Sequence, residues 1–145
     1  MFKFTFLVLL CSAFVASHMV DFFDDCVEEV HQRQKASECV LLPRSWLLSN
    51  TYRNFAHQVL ENVAHQPYVG NLNTLLNVTR AATHVSDGIV VRVEFTTVES
   101  TCNSSVVYSR EQCSPHGSQA NGLCQARFLF AGNLTLEDAR CGPRK

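Results

Sequence analysis

Cysteine is the residue type with the most evident chemistry in this sequence. The chain contains seven cysteines, and Cys11 lies within an apolar N-terminal run that we predict to be removed. An even number then remains, which in an exported protein is typical of three disulfides, although many pairings are possible. A zinc site would need close ligand pairs such as Cys-x-x-Cys, and every spacing here is wider. The remaining cysteines are Cys26, Cys39, Cys102, Cys113, Cys124 and Cys141.

Catalytic motifs are missing from the sequence. It contains no Gly-rich phosphate loop, no G-x-S-x-G and no H-E-x-x-H. The six histidines are scattered, and we expect His57 and His65 to be solvent-exposed on a helix. A cysteine nucleophile needs a free thiol, which an even number of paired cysteines does not leave. We therefore predict a protein that is not an enzyme and that needs no metal or other cofactor.

The N-terminus predicts export. Lys3 precedes an almost wholly apolar run from Phe4 to Val15, and small residues follow at Ala16 and Ser17. This order is typical of a signal peptide, cleaved between Ala16 and His18. The run is too short to span a bilayer, which takes about 20 residues. We therefore predict a secreted, extracellular protein without a membrane anchor.

Three N-x-[ST] motifs support export, since they predict N-glycosylation at Asn77, Asn103 and Asn133. The formal net charge is −1, so there is no basic excess that would attract nucleic acid.

One amphipathic helix is predicted over residues 49–66. Ser49 or Asn50 can cap its start, and Pro67 marks its end. Polar side chains occupy most of the opposite face, so we expect the helix to lie across a sheet. Apolar side chains recur at steps of three and four at Leu48, Tyr52, Phe55, Val59 and Val63.

Strands are predicted after the helix. An Asp87-Gly88 pair predicts a hairpin turn between residues 72–85 and 89–101. The second of these runs alternates, which predicts a strand buried on one face only. Residues 102–123 read as a loop, and 124–131 and 134–141 as two further strands joined near Gly132-Asn133. The order predicts an α+β fold, with one long helix packed across a four- to five-stranded antiparallel sheet.

The sequence VTRAATHVSDG at 78–88, the following IVVRVEF, and the Glu99-Ser100-Thr101-Cys102 junction resemble secreted type 2 cystatins, particularly those of tick saliva. The resemblance covers about residues 45–141 and implies a cystatin-like fold. It also implies the pairs Cys102–Cys113 and Cys124–Cys141, and with them Cys26–Cys39. We accordingly divide the chain into a signal peptide (1–17), an N-terminal extension (18–44) and a cystatin-like domain (45–145).

The resemblance further implies a function. Cystatins inhibit papain-like cysteine proteases by inserting a wedge of three segments into the protease cleft. The corresponding residues here would be Ser45 near the N-terminal segment, the first hairpin and the second hairpin. All three segments depart from the family pattern: there is no Gly beside Ser45, a carboxylate stands at Asp87, and the second hairpin lacks Trp. The implied hairpin contacts are His84, Val85, Ser86, Asp87, Gly88, Gly132 and Asn133.

Two hypotheses follow for the partner. The first is a reversible inhibitor of papain-like, cathepsin-type endopeptidases that acts as a monomer. The second is a cystatin scaffold without this inhibition that binds another extracellular protein of a host or of the immune system. A sugar on Asn133 would project from the predicted wedge and would favour the second.

Overall fold

A computed structural model describes residues 20–28 and 37–143. The predicted signal peptide, with Cys11, lies outside the described residues. Within these two ranges, one α-helix and six strands make up the regular structure, with short 3-10 turns at Arg44–Trp46 and Val63–His65. The elements are β1 (Val27–Glu28), β2 (Val40–Leu41), α1 (Asn50–Leu60), β3 (Asn71–Val85), β4 (Ile89–Asn103), β5 (Gly122–Ala131) and β6 (Asn133–Pro143).

The six strands form one sheet in the order β1-β2-β3-β4-β5-β6. All neighbours are antiparallel except β1 and β2, which run parallel. The α+β prediction is therefore confirmed, and the strand count exceeds the predicted four to five because of the two-residue strands β1 and β2. Since β2 pairs with β3, residues of the N-terminal extension also take part in the sheet. No helix in the described ranges is long and apolar enough to cross a membrane.

The main core lies between α1 and one face of β3, β4 and β5, which we call the helix face. Ala56, Val59 and Leu60 of α1 are fully buried there against Phe95 and Phe128. The helix is shorter than predicted, because it ends at Leu60 and the Asn62 side chain caps a separate 3-10 turn. Leu48, which precedes α1, and Val63, which lies in the following 3-10 turn, are the two ends of the predicted apolar stripe, and both are exposed.

His57 is buried, with 8% of its surface exposed, so the prediction of an exposed side chain was wrong. Its Nδ1 lies 2.7 Å from the Tyr108 hydroxyl, which also contacts Thr74 Oγ1 at 3.0 Å. Burial, followed by the charges of Arg110 and Arg53, lowers the pKa of His57 from 6.5 to about 4. A neutral imidazole therefore joins α1 to β3 and to the loop that follows β4.

The opposite side of the sheet, which we call the second face, is also covered. Arg92, Glu94 and Thr96 of β4 were predicted to face solvent, but they are only 5% to 7% exposed. The half-buried assignment was wrong because residues 20–28 pack over this face and pair with its charged side chains. We call residues 20–28 the N-terminal strap.

Candidate functional site

Two hairpins lie side by side at one end of the sheet. The first joins β3 to β4 through residues 86–88, and the second joins β5 to β6 at Gly132, where φ is +82°. Ile89 pairs with Phe130, which brings the two hairpins into contact. A Cβ atom on Gly88 would lie 2.5 Å from the Phe130 carbonyl oxygen. Glycine at position 88 therefore permits the close approach of the two hairpins.

A row of apolar side chains crosses the sheet just behind these turns. Val85 pairs with Ile89, Ile89 with Phe130, and Phe130 with Leu134. Each is between 37% and 49% exposed. Ile89 and Phe130 alternate with Val91 and Phe128 of the core, so the row continues the helix face beyond the core. We call these four residues the apolar row.

Of the four residues in the apolar row, Val85 was predicted from the sequence to be a contact residue, and the other three were not. Their signal was present, because Ile89 and Phe130 continue the apolar alternation of β4 and β5 up to the predicted turns. The alternation alone predicts that Ile89 and Phe130 are buried in the core, whereas the core ends at Val91 on β4 and at Phe128 on β5.

The predicted contact residues of the first hairpin divide between the two faces and the tip. Ser86 and Asp87 are exposed at the tip, where the Ser86 N–H donates to the Gly88 carbonyl at 2.9 Å. His84 is half-buried on the second face, and its Nδ1 has no hydrogen-bond partner among the described residues. Burial lowers the pKa of His84, as do the charges of Arg92 and Arg127, while Asp25 and Glu137 oppose them.

Ser45 does not join the hairpins. Val40 of β2 pairs with Thr83, close to the first turn, and the chain then runs away from it. Ser45 follows in the turn at Arg44–Trp46, where Arg44 borders the same pocket as Thr79. Val85 lies six residue steps along β3 from Thr79, a distance of about 20 Å at the usual strand rise. The segment that flanks the first hairpin is β2, together with the Cys26–Cys39 disulfide that precedes it.

The second hairpin presents Asn133 at its exposed tip, directly before Leu134 of the apolar row. The other two sequon asparagines are also exposed but lie elsewhere: Asn77 in the middle of β3 and Asn103 at the far end of β4. A sugar on Asn133 would therefore project from the hairpin tip, next to the apolar row but from the opposite face of β6, while sugars on Asn77 and Asn103 would lie away from this end.

Three disulfides brace this arrangement, and their pairs are the ones implied by the cystatin resemblance: Cys26–Cys39, Cys102–Cys113 and Cys124–Cys141. The second closes the loop after β4, and the third ties β5 to β6. Across residues 20–28 and 37–143, no group of three or more His, Cys, Asp or Glu side chains is placed to hold a metal ion.

Several solved structures that superpose on this chain are cystatins. A gut cystatin of the hard tick Ixodes ricinus, mialostatin, superposes with a TM-score of 0.57 at 21% identity, over 68% of this chain and 94% of that one. A salivary cystatin of the soft tick Ornithodoros moubata gives 0.60 at 19% identity, over 73% and 97%. This chain has the cystatin fold.

Dimeric human cystatin F gives a similar result, with a TM-score of 0.59 at 13% identity over 81% of this chain and 95% of that one. No protein-family model matches the sequence, and no curated protein sequence matches it. At these identities the likeness establishes the fold alone.

Proposed function

We propose that the protein is a secreted, cystatin-like inhibitor of papain-type cysteine endopeptidases, which inserts its two hairpins reversibly into the protease cleft. The observation that carries this proposal is the apolar row at the hairpin end. Four half-exposed apolar side chains in one line are unusual on a free surface and are typical of a surface that a partner covers. Burying the exposed half of each would contribute about 1 kcal/mol.

The shape of this end suits a narrow cleft. Because Gly88 carries no Cβ, the hairpins form one thin edge. The first turn is closed by its own hydrogen bond between Ser86 and Gly88, and the flanking residues are paired within the sheet. A peptidase requires an extended segment as substrate, so such an edge fills the cleft without presenting a bond that is readily cleaved. The inhibition would be reversible and would need no cofactor.

Secretion and glycosylation belong to the same proposal. Three disulfides are expected of a protein that folds in an oxidising compartment, and the sequons at Asn77, Asn103 and Asn133 would be modified there. In this reading the chain is a glycosylated extracellular protein, and its binding edge carries one of the three sugars.

A second candidate function is favoured by two features of the same edge. Asp87 is exposed at the tip, and no side chain among the described residues pairs with its carboxylate. Asn133 adjoins the apolar row. Burying an unpaired carboxylate costs several kcal/mol, and a sugar on Asn133 would hinder the insertion of the hairpins into a narrow cleft. The alternative is therefore a cystatin scaffold that binds another extracellular protein through a more open surface.

The two candidates are separated by inhibition constants against a panel of cathepsin-type peptidases. The protein would be secreted from a eukaryotic cell as the wild type, Asn133→Gln and the control Asn103→Gln. We expect nanomolar inhibition from Asn133→Gln and from the enzymatically deglycosylated wild type, with Asn103→Gln behaving as the glycosylated wild type. An absence of nanomolar inhibition from every form would overturn the inhibitor proposal and favour the scaffold.

A further inference from the structure

The N-terminal strap packs its aromatic side chains onto the second face of the sheet. Phe23 is buried against Cys39 and Ala82, and the Arg80 guanidinium lies 4.4 Å from its ring centroid. Phe22 lies beneath Arg140 at 5.8 Å. The strap therefore packs in a small apolar cluster of its own, separate from the main core.

Charged contacts then fix the strap at two positions, Asp21 and Asp25. At the first position, Asp21 pairs with Arg80 at 3.2 Å and accepts a hydrogen bond from Gln125 Nε2 at 2.9 Å. At the second position, the Asp25 carboxylate pairs with the buried guanidinium of Arg92. These contacts lower the pKa of both aspartates, against the opposing effect of burial.

Backbone groups of the strap also contribute. The Phe22 N–H donates to Gln125 Oε1 at 3.0 Å, and the Phe22 carbonyl accepts from Arg92 Nη1 at 2.7 Å. Gln125 and Arg92 are both almost fully buried. Without the strap, Gln125 Oε1 and Arg92 Nη1 would lose these buried partners, which is costly. Gln125 Nε2 would keep its hydrogen bond to Glu94 Oε2 at 2.7 Å.

Two arginines that face each other on the sheet explain why a counter-charge from the strap is stabilising. Arg92 and Arg127 stand directly opposite each other on β4 and β5, an arrangement of like charges that is destabilising. Arg127 pairs with Glu137 of β6, while the counter-charge of Arg92 comes from the strap. The Cys26–Cys39 disulfide holds the strap beside β2, so the segment is tied both covalently and electrostatically.

We propose that residues 20–25 stay bound to the second face of the sheet and so keep the N-terminus away from the binding edge. The hairpins would then bind a partner without a free N-terminal arm. The docking stands on the contacts described above. Its consequence for binding rests on the proposed function. A chain held at Arg80, Arg92 and Gln125 lies behind the apolar row and cannot extend past the hairpin tips.

Amide hydrogen exchange at Phe22 tests the docking in the free, full-length mature protein. The variants are Asp21→Asn with Asp25→Asn, and the control Asp24→Asn, whose exposed carboxylate lies between them. We expect the Phe22 amide to exchange at least about tenfold faster in the double variant, with Asp24→Asn matching the wild type. Equal exchange in all three proteins, or an unprotected Phe22 amide in the wild type, would overturn the docking.

The same amide tests the consequence for binding. In a complex with an inhibited cathepsin-type peptidase, Phe22 should stay as protected as in the free protein, and Asp24→Lys should change the inhibition constant less than about twofold. Loss of Phe22 protection on binding, or a tenfold effect of Asp24→Lys, would show that the N-terminus enters the cleft. If no peptidase is inhibited, the proposed function fails, and the exchange in the free protein still decides whether the strap is docked.

Discussion

The buried imidazole of His57 makes the stability of this protein depend on pH. The folded state lowers the pKa of His57 to about 4, chiefly through burial, whereas an unfolded chain restores a value near 6.5. The unfolded state therefore takes up a proton first as the solution is acidified. The associated stability is fully present above pH 6.5 and is lost as the pH falls towards 4.

The magnitude follows from the size of this pKa difference. If His57 were protonated in the unfolded state only, the free energy of unfolding would fall by about 3 kcal/mol. At pH 4.5 the fall amounts to about 2.5 kcal/mol. The carboxyl groups of Asp21, Asp25 and Glu94 also have lowered pKa values, so acid destabilises the wild type through them as well. The contribution of His57 must therefore be measured as a difference between variants.

Urea unfolding at pH 7.5 and pH 4.5 measures this difference. In His57→Gln, an amide replaces the imidazole and still reaches the Tyr108 hydroxyl, but the titrating group is gone. We expect the loss of unfolding free energy between the two pH values to be about 2.5 kcal/mol smaller in His57→Gln than in the wild type. The exposed His116→Gln serves as the control and should change the loss by less than about 0.5 kcal/mol. An equal loss in His57→Gln and the wild type would refute the reasoning.

Three further substitutions probe the second face and the hairpins. Glu94→Gln should lower the free energy of unfolding by about 3 kcal/mol, because it breaks a buried ion pair with Arg80; Glu137→Gln, which breaks an exposed pair, should cost less than about 1 kcal/mol in the same urea titration. Gly88→Ala should lower stability by about 1–3 kcal/mol and weaken inhibition, because its Cβ meets the second hairpin; an unchanged thermal midpoint would contradict this. Asp87→Ala should tighten inhibition about tenfold by removing a carboxylate that binding in the cleft would bury; unchanged or weaker inhibition would show that the partner accommodates the charge.

The helix, the long strands and both turns could be predicted from the sequence, because local periodicity and turn residues determine them. The stripe through Tyr52, Phe55 and Val59 predicts the face of α1 that packs on the sheet. The Asp87-Gly88 pair places the first turn. The end of α1 was less predictable, since Val63 continues the stripe and only the cap by Asn62 shows that a new turn begins there.

The second face could not be predicted, because its partners are far away in sequence. Arg92 and Glu94 alternate with apolar residues, and such a pattern normally indicates a solvated face. Arg92 is paired with the strap, about 70 residues earlier in the chain, and Glu94 with Arg80 and Gln125 on the neighbouring strands. The same reason explains His57, which is buried by a loop beyond β4. For the candidate site, the sequence indicated the two turns, whereas the alignment of Ile89 with Phe130 depends on strand register.

The apolar row is the basis of the proposed inhibition, and one charge placed in it tests the proposal most directly. The measurement is the inhibition constant of Phe130→Lys against a cathepsin-type peptidase, with the sugar at Asn133 removed. The control is Val69→Lys, an exposed apolar residue at the other end of the sheet. We predict that Phe130→Lys weakens inhibition at least about 100-fold, since a lysine ammonium would be desolvated in the cleft, while Val69→Lys stays within about twofold of the wild type. Equal inhibition by the two variants, at unchanged thermal midpoints, would contradict the account.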